Sequence, residues 1–173
     1  SNGGRQALME AQRYPADYDG IVAGAPANNW THLMANGITN LQAMDDPAEY
    51  IPTAKLRAIQ AAALASCDTN DSVTDGVIEN PAACHPRVES LLCERTATGE
   101  CLNPSQVEAL KKLYGGMMDG TGNLRFPGYS PGGEAEQGGW GPWITGESQE
   151  RSLIFLFSTN YFKNMVYSDP AWN

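Results

Sequence analysis

The first four residues, S-N-G-G, set a serine directly before small residues and a helical pattern. In G-x-S-x-G turns a nucleophilic serine sits between a strand and a helix, and glycines let the strained turn pack closely. On that reading Ser1 is a candidate nucleophile. The N-terminus of the helix beneath it offers free N–H groups and a positive dipole end. The backbone N–H of Asn2 is then a candidate oxyanion-hole donor. The same residues also read as a simple helix cap, since S-x-G is a common sequence. A serine nucleophile needs a base within hydrogen-bond reach, and the chain has two histidines, His32 and His85. In hydrolases with this turn the order is serine, acid, then a late histidine. Neither histidine fits that order, so both are read as surface or packing residues and no complete triad is present.

A second stretch, CDTNDSVTDGVIENP, sets Asp68, Asp71 and Asp75 within eight residues, with Gly76 available for a sharp turn. Carboxylates that close repel one another unless a cation compensates them. Hard Ca²⁺ takes about six to eight oxygens and mixes carboxylates with backbone carbonyls. An EF-hand does not fit. Counted from Asp68, the required glycine position holds Val73; counted from Asp71, the third ligand position is again Val73, and no glutamate falls at the twelfth. A calcium loop of another type would add the carbonyls of Val73 and Val77. The competing reading is a solvated acidic turn. Asn70-Asp71-Ser72 is also a glycosylation sequon, as is Asn29-Trp30-Thr31, and a glycan on Asn70 would exclude a metal there.

Cys67, Cys84, Cys93 and Cys101 are separated by 17, 9 and 8 residues. Four cysteines allow three connectivities. Sequential pairing, Cys67–Cys84 and Cys93–Cys101, closes two short loops and is the favoured one. A zinc site is the rival, but no C-x-x-C occurs and His85 beside Cys84 is poorly placed as a ligand. Disulfides imply an oxidising compartment, outside the cell or in the periplasm.

A formal charge of −9 with only 11 scattered Lys and Arg argues against nucleic acid. The apolar run Leu153–Phe157 is far too short to span a bilayer. Among 173 residues, 18 Gly and 11 Pro require many turns.

These groups must be positioned by a few regular elements. Gly4 to Arg13 reads as a helix ended by Pro15, and DYDGIVAGAP as a short buried strand. Asn29 is placed to cap a helix bearing Trp30, Leu33, Met34, Ile38 and Leu41 on one face. A second helix near Thr53–Ser66 offers Leu56, Ile59 and Ala63. NPSQVEALKKLYGG is a helix with Asn103 as cap, Pro104 at its first position and Gly115-Gly116 as terminator. Residues 117–147 are rich in Gly, Pro and aromatics, and a helical pattern returns from about Ser148 to Tyr167. Phe126, Tyr129, Trp140 and Trp143, with Phe155, Phe157, Tyr161 and Phe162, are either core or the walls of a pocket for a planar ring.

Together these stretches resemble the tannase and feruloyl esterase family of serine esterases, which also contains hydrolases of mono(2-hydroxyethyl) terephthalate. SNGGRQALMEAQRYPADYDGIVAGAPANNWT is similar to the family's nucleophile segment, G-C-S-x-G-G-R followed by Y-P-x-D-(F/Y)-D-G-I-x-A-G-A-P-A. CDTNDSVTDGVIENPAAC resembles its calcium loop, C-D-x-x-D-x-x-x-D-G-x-I-x-x-P. LLCERTATGECLNPSQVEAL resembles the stretch ending in C-L-(T/N)-x-x-Q, and YFKNMVYSDPAWN the exit of its lid. The resemblance implies an α/β fold: residues 1–27 as the nucleophile helix and following strand of an α/β-hydrolase, and residues 28–173 as a mainly helical, loop-rich lid. It implies Ser1 as nucleophile, Asn2 as oxyanion-hole donor, and structural Ca²⁺ held by Asp68, Asp71 and Asp75 with the carbonyls of Val73 and Val77. It implies disulfides Cys67–Cys84 and Cys93–Cys101, and esters of aromatic acids, feruloyl or galloyl, as substrates. Trp143 and Phe157 are the candidates for contacting the ring. The family's cysteine before the serine and its catalytic Asp and His are not in this chain, so the rest of a parent hydrolase domain is the implied partner. The alternative is a non-catalytic, calcium-stabilised and disulfide-stapled binding module.

Overall fold

A computed structural model describes residues 1–94 and 100–172. The expected helix at the start runs from Asn2 to Arg13 (α1). The expected buried strand after it does not form. Residues 17–26 form no strand and bend at Asp17, Asp19 and Ala25, and Val22 is 95% exposed. A strand needs a neighbouring strand for its backbone hydrogen bonds, and among the described residues none pairs with this segment.

Helix α2, Trp30–Gln42, begins where Asn29 predicts. Asn29 is nonetheless not a side-chain cap: it is left-handed at φ 51 and makes no capping bond. Helix α3, Leu56–Cys67, is preceded by a short turn at Thr53–Lys55 and buries Leu56, Ile59 and Ala63 as their spacing requires. Helix α4, Pro104–Gly115, matches its sequence signals at both ends. The Asn103 side chain accepts from the Gln106 N–H at 2.8 Å, Gln106 Oε1 accepts from the Asn103 N–H at 3.1 Å, and Gly116 ends the helix at φ 81. This reciprocal bonding satisfies two otherwise orphaned donors.

Helices α3 and α4 and the turn Val88–Leu91 enclose the core, with Leu56, Ile59, Leu102, Leu110 and Leu113 at 2% exposure or less. A hairpin not foreseen from the sequence, Met117–Met118 (β1) against Leu124–Phe126 (β2), follows α4. Its turn closes on Asp119, whose carboxylate accepts from the Thr121 hydroxyl and from the N–H groups of Thr121 and Asn123. These bonds, with Arg125 beside it, hold the Asp119 carboxyl well below the ordinary range.

Helix α5, Leu153–Tyr161, is capped by the Ser152 hydroxyl and continues into a wider turn at Phe162–Val166. It lies on α2. Gly37 makes that approach feasible, because a Cβ there would run into Ser158 Oγ and Ile154. The described residues are thus mainly helical, with one two-stranded sheet. An α/β class is not visible in their own secondary structure.

Candidate active site

Ser1 stands at the head of α1, and its backbone is clamped on both sides. Its nitrogen donates to the Ala25 carbonyl at 2.7 Å, and its carbonyl accepts from Ala27 N–H at 3.1 Å and Arg5 N–H at 3.3 Å. The segment 24–27 therefore lies directly against the first turn of α1. Gly4 is required for this, since a Cβ there would overlap the Gly24 carbonyl and the Pro26 backbone. Ala25, in the clamp, has φ 42, a left-handed conformation that costs an L-residue on the order of 1 kcal/mol or more. The S-N-G-G sequence thus has a packing reason at its fourth residue as well as a chemical reading at its first.

Ser1 and Asn2 line one side of a cleft of about 470 Å³. Its other walls come from α2 (Trp30, Leu33, Met34), the segment 129–144, irregular up to a wide helical turn at Gly141–Thr145, and α5 (Ile154, Phe157). Among the described residues no charged side chain lines it. Trp143 and Phe157 stack at its edge with ring centroids 6.0 Å apart and planes 19° apart, each about half exposed.

In the wall, Trp140 is packed between two phenols, Tyr114 at 5.5 Å and Tyr129 at 5.4 Å between centroids. The Tyr129 hydroxyl accepts from Asn40 Nδ2 at 3.0 Å, and the Tyr114 hydroxyl donates to Glu134 Oε1 at 2.6 Å. Burial pushes both phenols above their ordinary pKa, and for Tyr114 the neighbouring Glu134 carboxylate adds to the effect. The aromatic pattern pointed to this wall, but Glu134 and Asn40 were missed. For Glu134 the available signal was a lone acid in a glycine-rich run just before a tryptophan.

His32 and His85 are both exposed, and neither lines the cleft. The disulfides are Cys67–Cys84 and Cys93–Cys101, with Cα atoms 5.7 and 4.9 Å apart. Residues 95–99, inside the second loop and inside the stretch compared with the family, lie outside the described residues.

In the acidic loop Asp68 is buried, and its carboxylate accepts from Gly76 N–H at 3.1 Å and Asp75 N–H at 3.3 Å. Asp71 and Asp75 instead turn back onto the N–H groups of Val73 and Val77, at 2.8 and 3.0 Å. Among the described residues no three acidic side chains gather at one point, and none of the three aspartates forms an ion pair. The donor set itself, carboxylates and carbonyls without nitrogen or sulfur, fits a hard cation, and a buried carboxylate with no cationic partner fits one too.

A serine clamped at a helix N-terminus beside an apolar cleft is the arrangement expected of an α/β-hydrolase-type protein. The chain belongs to the tannase and feruloyl esterase family, whose model matches residues 1–171. It is 40% identical to an uncharacterized esterase of Xanthomonas campestris pv. campestris over 96% of its length, and 33% identical to a probable feruloyl esterase B of Emericella nidulans over its whole length. Its structure matches 99% of the chain to the crystal structure of feruloyl esterase B from Aspergillus oryzae, with a TM-score of 0.86 at 27% identity. The tannin acyl hydrolase from Aspergillus niger shares the fold at a TM-score of 0.74 and 17% identity. The chain spans about a third of the length of these relatives, 30% and 32% of the two esterase sequences and 34% and 33% of the two solved chains.

Proposed function

We propose that this chain carries the nucleophile and the acyl pocket of a serine esterase acting on small-molecule esters of aromatic carboxylic acids. The observation that carries the reading is the position of Ser1 on a cleft that no charged side chain of the described residues lines, walled by stacked and tilted aromatic rings. An aromatic acyl group would lie on the Trp143–Phe157 face, where burial of its ring is favourable by about 25 cal/mol per Å². Ser1 Oγ would attack the ester carbonyl, the Asn2 N–H would stabilise the developing oxyanion, and the alcohol would leave to give an acyl-enzyme. Water would then hydrolyse that ester and free Ser1. Since neither histidine lines the cleft, the proton acceptor comes from the two-thirds of the relatives' length that this chain does not span. On this reading residues 28–173 form a lid over the site.

In the same proposal Asp68, Asp71 and Asp75, with the Val73 and Val77 carbonyls, hold Ca²⁺, which neutralises the loop's charge and fixes its shape. Asp71 and Asp75 would have to leave their own loop amides to do so. The two disulfides support a secreted or periplasmic setting. No helix of the described residues is long and apolar enough to cross a membrane.

The test is kinetic. In the native protein, Ser1→Ala is expected to abolish hydrolysis of methyl ferulate and methyl gallate, while Trp143→Ala raises KM for both. Unimpaired turnover by Ser1→Ala would refute the assignment. Binding of the ester by Ser1→Ala without turnover in the unmodified protein would instead favour a binding module.

A further inference from the structure

Glu134 is fully buried, yet it lies in a glycine-rich segment, P-G-G-E-A-E-Q-G-G-W, that forms part of the cleft wall. Its carboxylate is enclosed by specific donors: the Tyr114 hydroxyl at 2.6 Å on Oε1, and the Gly132 N–H at 3.0 and 3.1 Å on the two oxygens. Its own carbonyl accepts from Trp140 N–H at 3.2 Å. The same residue therefore ties together the start of the segment, the end of the segment and helix α4. Next to it, Ala135 N–H donates to Gln60 Oε1 at 2.7 Å, and Gln60 Nε2 donates to Glu136 at 2.8 Å, which fastens the loop to α3. Glycine-rich backbone has no packing of its own to hold it. A fully satisfied buried network is what gives such a segment one conformation.

We propose that Glu134 is a positioning residue of the cleft. By anchoring Tyr114 and the Trp140 backbone, it fixes the Trp140 ring and the Gly138-Gly139 backbone, which line the cleft that the acyl ring enters. The inference rests on the reading of the cleft as an acyl pocket. Glu134 touches no substrate; it sets the shape that substrate meets. What it supplies is acceptor geometry. Glutamine can keep Oε1 as acceptor for both Tyr114 and Gly132, whereas alanine keeps neither bond. Tyr114→Phe removes one hydroxyl while leaving the ring on Trp140.

The experiment titrates feruloyl amide, which is not an ester, against the native protein by tryptophan fluorescence, well below the thermal midpoint of every variant. Trp143→Ala is expected to lose most of the binding, which tests the pocket reading by itself. Glu134→Ala and Tyr114→Phe are each expected to bind about tenfold more weakly. Their double variant should be no weaker than either single one, because both cut the same link. Glu134→Gln should stay within about twofold of the unmodified protein. Tyr114→Phe tests the link even where Glu134→Ala fails to fold. Unchanged affinity in folded Tyr114→Phe, or a glutamine variant as weak as alanine, would overturn the role of Glu134. A lowered melting temperature with unchanged affinity would overturn it too, since that is what a merely structural residue would show. If the unmodified protein itself binds no feruloyl amide, the pocket reading falls, and this inference with it.

Discussion

The cleft wall, residues 129–146, and the acidic loop, residues 68–83, are both irregular and punctuated by turn-forming residues, but opposite physics holds them. In the wall Glu134 and Thr145 are fully buried, and Trp140 and Ile144 nearly so. Its conformation comes from packing and from hydrogen bonds to three helices. In the loop Val73 and Val77 are more than half exposed. There the Cys67–Cys84 bond closes the ends, and the aspartates bind their own backbone. Aromatic content separates the two cases. Large rings make an irregular segment a packed wall, whereas a segment of small and acidic residues needs a covalent link or an ion.

The contrast breaks most sharply at Trp140. Trp140→Ala should cost about 3–5 kcal/mol and abolish ring binding in the cleft, while the acidic loop's amide signals stay in place; a denaturant titration with NMR spectra of the variant checks both. Conversely, Cys67→Ser with Cys84→Ser should cost about 3 kcal/mol through the loop's closure entropy and leave ring affinity nearly unchanged. Loss of ring binding in that variant would show that the two regions are not independent. Chelation is a sharper probe of the loop alone. If Ca²⁺ is held there, EDTA lowers the melting temperature and added Ca²⁺ restores it, whereas an unchanged melting curve rules the ion out.

Acidity separates the regions more gently. Burial raises the pKa of Tyr114 and Tyr129, so the stability they contribute is fully present below about pH 10 and is lost as pH rises through their folded values. The wall should therefore loosen on the alkaline side, with two tyrosines ionising late in absorbance at 295 nm. Hydrogen bonds lower the pKa of Asp119, so its contribution is present above about pH 4 and is lost on acidification. Protection of the Thr121 and Asn123 amides should fall there while the wall is unaffected. The smallest change is Asn103→Ala, expected to cost about 1 kcal/mol through the lost helix cap, with no effect on either region.

Helices α3 and α4 were legible in the sequence because local physics determines them. Leu56, Ile59 and Ala63 keep helical spacing, and Asn103, Pro104, Gln106 and Gly116 mark the ends of α4 without help from the rest of the chain. The Cys67–Cys84 and Cys93–Cys101 pairings were legible because short separations favour them. The segment around Val22, expected as a short buried strand, forms no strand among the described residues, because pairing and burial depend on neighbours that the stretch itself cannot supply. The hairpin after α4 escaped notice because its strands hold only two and three residues, too few to show a period. Of the cleft, Trp143 and Phe157 were foreseen as aromatic, but their stacking and the buried Glu134 behind Trp140 depend on tertiary contacts between distant segments. Asn29 was placed correctly as the residue before α2 and wrongly as its cap, since a left-handed backbone carries it there without a side-chain bond.

On the proposed reading, Ser1 takes the acyl group. The most direct measurement is rapid acid quenching of the native protein during turnover of an activated ferulate ester, followed by peptide mass spectrometry. The feruloyl group is expected on the Ser1 hydroxyl, with no adduct in Ser1→Ala. A feruloyl group on another residue, or undiminished turnover by Ser1→Ala, would contradict it.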